Sequence, residues 1–167
     1  VLSQVPSARG RSDVAPYVGT AVLGEGDPYD FAYKYNALVS NIKPLEDAAA
    51  GIGMVNSAVE VDNLVRRMPL ITQVNNQLYP SFPMELVRVL QSKPSYSMHV
   101  EQIGIIDLMI PPYEPIKTDP TGSIWINFSN QFLQMEYSDP LPNLKGQTVI
   151  VGVTAEGIQP ILSTPKG

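Results

Sequence analysis

Arg66 and Arg67 are the residues of this chain whose type and setting are best suited to hold a charged ligand. They interrupt an apolar run, Leu64-Val65-Arg66-Arg67-Met68-Pro69-Leu70-Ile71. In an extended strand, neighbouring side chains point to opposite faces. One arginine therefore stands with Leu64, Met68 and Leu70, and the other with Val65, Pro69 and Ile71. On a buried face a guanidinium needs carboxylate or carbonyl partners, because an unpaired buried charge is costly. Two uses fit these residues. One is anion binding by Arg66 or Arg67. The other, and the commoner, is a structural ion pair with an acid such as Asp62, Glu85 or Asp107. Geometry predicts one arginine largely buried and paired, with the other facing solvent or a cleft.

The remaining reactive residues make no catalytic pattern. His99 is the single histidine and cysteine is absent, so the usual zinc set of several His and Cys ligands is not available. His99 reads as a surface or strand residue. There is no D-x-D-x-D-G calcium loop, no phosphate loop and no G-x-S-x-G nucleophile elbow. Gly152-Val153-Thr154-Ala155-Glu156-Gly157 follows an apolar run, and such loops often hold ligands at the carboxyl ends of strands. It matches no nucleotide fingerprint, and a packing turn is its commoner use. Asn127-Phe128-Ser129 is a formal glycosylation sequon placed in a strand. Trp125, Tyr113 and Tyr137 are candidates to line a pocket or, more ordinarily, to pack. No catalytic residue, metal site or cofactor is assigned. Paired carboxylates for hydrolysis leave no spacing signature and stay open as an alternative.

The chain that must position these residues is 167 long and 44% hydrophobic, enough for one domain with a core. Its 16 prolines predict many short elements and irregular connections. A net charge of −5 with a pI near 4.8 argues against nucleic acid as a partner, since that needs a basic footprint. No apolar run approaches the roughly 18 residues of a membrane span. The N-terminal stretch lacks the apolar core of a signal peptide. Both ends read as cut, and an excised domain is expected.

Residues 1–16 read as loop and 17–167 as a single domain. Tyr17 to Leu23 fits a buried strand. Phe31 to Val39 carries both helical and alternating periodicity. Pro44 to Ala50 reads as a short helix capped by Gly51. Ile52 to Ala58 reads as a strand, and Leu64 to Val74 as another after a turn at Asp62-Asn63. Asn75-Asn76 can take the positive φ angles of a two-residue hairpin turn, with Gln77 to Tyr79 returning. Ser81 to Gln91 is the clearest helix, with Ser81 as N-cap, Phe82, Leu86, Val89 and Leu90 on one face, and Glu85 and Arg88 on the other. His99 to Ile110 contains two strands bent at Gly104. Asp119-Pro120-Thr121-Gly122 is a type I turn signal, expected to join Ile116–Thr118 to Ser123–Phe128 as a hairpin. Gln147 to Thr154 is almost wholly apolar, as in a central strand covered on both faces. The fold class is therefore α/β or α+β, with a mixed central sheet and short helices packed on it.

Six segments follow one another in order: Ala48 to Asn56 (AAAGIGMVN), Asp62 to Leu70 (DNLVRRMPL), Leu78 to Val89 (LYPSFPMELVRV), Ile116 to Phe128 (IKTDPTGSIWINF), Leu144 to Gly157 (LKGQTVIVGVTAEG) and Ser163-Thr164-Pro165. Together they resemble the type-2 CHASE domain, an extracytoplasmic sensory domain of bacterial signalling receptors. The resemblance begins near Leu45 and rests on the order of six individually weak motifs. It implies a periplasmic or otherwise extracytoplasmic position, anchoring by membrane helices outside this sequence, and output to a histidine kinase, a nucleotide or diguanylate cyclase, or a serine/threonine kinase. It carries over no binding residue. The expected function is sensing of a small-molecule or protein signal, with a homodimer as a possible assembly. The alternatives are a structural or dimerisation module of such a receptor and, further off, a carboxylate-dependent hydrolase.

Overall fold

A computed structural model describes residues 3–4, 18–129, 135 and 142–152. Its elements are short, as the prolines predict. In order they are β1 (Ser3–Gln4), β2 (Thr20–Leu23), α1 (Pro28–Phe31), β3 (Tyr33–Tyr35), β4 (Leu38–Val39), α2 (Lys43–Ala48), β5 (Ala58–Val59) and β6 (Val65–Pro69), then β7 (Ile71–Val74), β8 (Gln77–Pro80), α3 (Phe82–Leu90), β9 (Tyr96–Glu101), β10 (Gly104–Met109), β11 (Ile116–Lys117) and β12 (Ser123–Trp125). Each helix starts with proline in its first turn, where the missing N–H has no intrahelical partner to lose.

The class is α+β with mixed pairing. Among the described residues the strands fall into four small sheets rather than one, ordered β11-β10-β9-β2, β12-β6-β5, β3-β7-β8 and β1-β4. β2 runs parallel to β9 and β3 parallel to β7, while the other pairs are antiparallel. Ambiguity over residues 31–39 resolves as both patterns in succession: α1 ends at Phe31 and alternation begins in β3.

The expected single strand from Leu64 to Val74 breaks at Leu70 into β6 and β7, which belong to different sheets. Pro69 has no N–H to continue a ladder. The Leu70 N–H donates to Gly122 O, and its carbonyl accepts from Ser81 N, so the chain changes sheet there. β7 is buried at every position. It places Ile71 in one apolar cluster, with Leu70, Met84, Met98, Val100, Ile105 and Leu108. Val74 lies in the other, with Leu38, Ile52, Met54 and Tyr79. The polar residues between them are satisfied: Gln73 Nε2 donates to Tyr29 O and Ala32 O. The Asn75-Asn76 turn forms as expected, both residues at positive φ (49° and 59°), with Val74 opposite Gln77.

Four other expectations are corrected. The strand covered on both faces is β7. Residues 147–152 pair with no strand among the described residues, and Val149, Ile150 and Val151 are 52%, 71% and 90% exposed; Val153 and Thr154 lie outside the described residues. Apolar composition reports a demand for burial, but a strand also needs an unpaired edge beside it. The run expected as a buried strand ending at Leu23 yields β2, a largely exposed edge. Ile52 to Ala58 gives only a bridge from Met54 to Ser81 and then β5. Ile116–Lys117 and Ser123–Trp125 flank the expected turn, in which Gly122 N donates to Asp119 O. They pair with β10 and β6 respectively, not with each other.

The two helices of the central segment also differ from expectation. α2 is capped at Ala49, not Gly51. Gly51 is small for another reason: a Cβ there would lie 2.1 Å from Glu85 Oε1. α3 buries Met84, Glu85 and Arg88, while Leu90 is 54% exposed. The face with the charges is the inner one. Arg88 Nε and Nη2 donate to the two Glu85 oxygens at 2.8 and 2.7 Å. The same guanidinium donates to Lys93 O and Ala50 O. This bidentate pair ties the end of α3 to the segment after α2, which compensates the charges for leaving water. Ser81 sits at the N-cap position of α3, but its side chain makes no cap hydrogen bond, and its buried Oγ has no partner among the described residues.

Candidate functional site

β6 carries Arg66 and Arg67, and two turns bring acids to them. The first is residues 60–63. Glu60 N donates to Leu64 O and Asn63 N to Glu60 O, with Asn63 at φ 63°. This fold-back places Glu60 and Asp62 over β6. The second is the Asp119–Gly122 turn. Its Asp119 Oδ1 accepts from Thr121 N, Thr121 Oγ1 and Ser123 N at 3.0, 2.7 and 3.0 Å. That leaves Oδ2 aimed across the sheet.

Arg66 forms a fork on Asp62, with Nη1 to Oδ1 at 3.0 Å and Nη2 to Oδ2 at 2.6 Å, and Nη1 also reaches Glu60 Oε2 at 2.8 Å. Arg67 donates from Nε to Glu60 Oε1 at 3.1 Å and from Nη1 to Asp119 Oδ2 at 2.9 Å. Its guanidinium lies over the Trp125 ring, 5.6 Å from the centroid. Register places Trp125 and Ala58 directly opposite Arg67 on the two neighbouring strands. Glu60 therefore bridges both arginines, and the cluster has three carboxylates for two guanidiniums.

These contacts move the titrations in consistent directions. The hydrogen bond from Arg66 holds Asp62 below the usual carboxylate range. Hydrogen bonds to Asp62 and then Glu60 raise Arg66, and hydrogen bonds to Glu60 and then Asp119 raise Arg67. Burial pushes Asp119 up, but the bonds from Thr121, Ser123 and Arg67 outweigh it, and the carboxyl ends below its ordinary value.

The expectation of one buried and one open arginine is corrected. Both are partly exposed, with side chains at 27% and 32%, and both are paired. β6 is buried only at its ends, Val65 and Pro69, and the three residues between them are half-buried. Of the acids expected as partners, Asp62 is one; Glu85 and Asp107 are not. Among the described residues the buried arginine is Arg88, 7% exposed. The signal for Asp119 was present in the D-P-T-G turn, which fixes a carboxylate through its own backbone. Nothing in the sequence pointed from that turn to β6.

Arg67 and Glu60 also line an open cleft of about 480 Å³, together with Tyr33 and Tyr35 of β3, Ser57, and an apolar wall of Val59 and Val61. Burial, and then the neighbouring Tyr33, raises the Tyr35 phenol. Arg66 is not on the lining. A second cleft, about 430 Å³, follows β2 and carries Glu25, Asp27 and Tyr29 without a cation. The arginines do not reach it.

The other singled-out residues separate from this site. His99 Nε2 lies 2.7 Å from Glu101 Oε1, and Nδ1 lies 4.0 Å from Asp107, which is held by Lys117 Nζ at 2.8 Å. Among the described residues no group of three or more His, Asp or Glu is disposed to hold a metal ion. Tyr113 is 52% exposed and its hydroxyl accepts from Gln91. Tyr137 and most of the Gly152–Gly157 loop lie outside the described residues. No described helix is long and apolar enough to cross a membrane.

Comparison with known proteins gives one match: the family model for the CHASE2 domain covers residues 6–167. No curated protein and no solved structure matches the chain.

Proposed function

The chain belongs to the CHASE2 domain family, an extracellular sensory domain family of signalling receptors, and from that membership we propose that it is the signal-receiving domain of a membrane-anchored bacterial receptor. The family is sensory rather than catalytic. In the proposed receptor this domain lies in the periplasm. Membrane helices outside this sequence join it to a cytoplasmic kinase or cyclase. A signal that prefers one of two domain states biases those helices, and the bias can be no larger than the difference in affinity for the two states.

Family membership is the observation that carries this reading. Within the domain, the cleft beside Arg67 is the proposed point of signal contact. Both arginines were candidates. Arg66 is engaged on both terminal nitrogens and off the lining, which makes it the positioning partner; Arg67 is the one that faces the cleft. The test uses the full-length receptor in cells, with its cytoplasmic output followed while the medium is varied. The expected result is a medium-dependent output that disappears when this domain is deleted. Output that keeps its medium dependence without the domain would contradict the reading.

A second reading has an observation in its favour. The carboxylates around Arg66 and Arg67 suit a structural clasp, as in a module that sets receptor geometry or dimerises. Arg67→Gln in the full-length receptor separates the two. A sensor loses its response while the domain stays folded, whereas a clasp alone loses stability and response together.

A further inference from the structure

We propose that the cleft beside Arg67 takes a neutral polyhydroxylated small molecule, of the monosaccharide or cyclic polyol class. The proposal rests on the reading of the chain as a sensory domain and names what that site would recognise. The charges of the lining decide the class. Glu60 and Arg67 are its only charged residues and they cancel. Behind them, Asp62, Asp119 and Arg66 leave the cluster with one negative charge in excess.

A free anion is a poor match. Arg67 is already flanked by Glu60 on Nε and by Asp119 on Nη1, so an incoming anion meets two carboxylates at the same guanidinium. A cation meets the Arg67 charge on the lining. A purely apolar ligand would strip water from Glu60 and Arg67 and return no hydrogen bonds. A hydroxyl group both donates and accepts, which suits a wall that offers both. Arg67 Nη2 makes no hydrogen bond among the described residues and can donate. Glu60 can accept, and the hydroxyls of Tyr33, Tyr35 and Ser57 can do either. The phenol rings and the Val59–Val61 wall offer apolar surface to the C–H face of a sugar ring. A volume of about 480 Å³ lies in the range of small-molecule sites. Trp125 and Asp119 hold the Arg67 guanidinium in place before any ligand arrives, which lowers the ordering cost of binding.

Trp125 is the sole tryptophan and stacks on Arg67, so its fluorescence reports on the site. The test titrates the chain with glucose, galactose, mannose, ribose and myo-inositol, and in parallel with phosphate, acetate and choline. Each is taken to about 10 mM, a tenfold excess over a millimolar Kd, with melting temperature as a second readout. At least one polyol is expected to give a saturable change in fluorescence and a rise in melting temperature. Tyr35→Phe and Ser57→Ala, which leave the arginine cluster intact, should each weaken it roughly two- to tenfold, the worth of one hydrogen bond. Saturable binding of phosphate, acetate or choline instead of any polyol would overturn the ligand class and leave the sensory reading standing. Polyol binding that both substitutions leave unchanged would overturn the site. Silence across the whole panel would overturn the proposal, while the domain-deletion experiment decides the sensory reading independently.

Discussion

At the scale of single residues, the largest effect is expected at Arg88. Its removal leaves Glu85, 3% exposed, without a partner and also strips donors from Lys93 O and Ala50 O. Arg88→Ala should cost about 3–5 kcal/mol, a large share of an ordinary domain's stability. Replacing both partners, as in Glu85→Leu with Arg88→Met, should recover much of it, because no charge is then stranded. Chemical denaturation of the three chains checks this. Asp119 predicts an acid limb. Its folded pKa lies below the ordinary 3.8, so its contribution is full above that value and fades as pH falls through the folded one. Asp119→Asn should cost about 1 kcal/mol at neutral pH, below the roughly 1.5–3 kcal/mol of bonds to a charged group because solvent screens a side chain that is 23% exposed. It should also flatten the loss of stability below about pH 4. Tyr96 predicts the opposite limb. Burial pushes its phenol up to about 12, so unfolding is favoured as pH rises from the free value of 10.0 towards 12; Tyr96→Phe should reduce that dependence, the remainder coming from Tyr35 and Tyr79, which burial also raises. Melting curves across pH test both limbs.

At the scale of elements, glycines and turns explain more than periodicity does. Gly53 lets its segment lie against the start of α3: a Cβ there would stand 2.5 Å from the Phe82 Cα. Gly53→Ala is therefore expected to destabilise by several kcal/mol, since backbone would have to move. Ser81→Ala should cost well under the 0.5–2 kcal/mol typical of a lost N-cap, because the Ser81 side chain caps nothing. Paired denaturation curves distinguish these outcomes. The same elements show which features were legible in sequence. The Asn75-Asn76 hairpin, the Asp119–Gly122 turn and the extent of α3 are local, fixed by residues within a few positions, and were readable. The inner face of α3 was not. Its hydropathy favours Phe82, Leu86 and Leu90, but the requirement that placed Arg88 inside came from carbonyls at Ala50 and Lys93. The break at Leu70 likewise depends on Gly122 and Ser81, both distant in sequence. The arginine cluster was half legible: Asp62 lies within four residues of Arg66, whereas Asp119 reaches Arg67 across 52 positions.

At the scale of the whole molecule, the ordered motifs and the family match agree on a sensory domain, and the succession of strand-like and helix-like segments placed it in the mixed α and β class. What composition could not give was the partition into four small sheets. That follows from where prolines and single residues such as Leu70 divert the ladder. The cleft beside Arg67 likewise arises only when β3, the turn at Glu60 and β6 are assembled, so no single motif announces it. The claim on which the functional account turns is the side of the membrane on which this domain sits. The most direct measurement fuses alkaline phosphatase, active only outside the cytoplasm, within the domain's exposed Lys145-Gly146 turn in the full-length receptor. A cytoplasm-active fluorescent protein at the same position serves as the counterpart. The account predicts a phosphatase-positive, fluorescence-negative pair. A phosphatase-negative, fluorescence-positive pair would place the domain in the cytoplasm and contradict it.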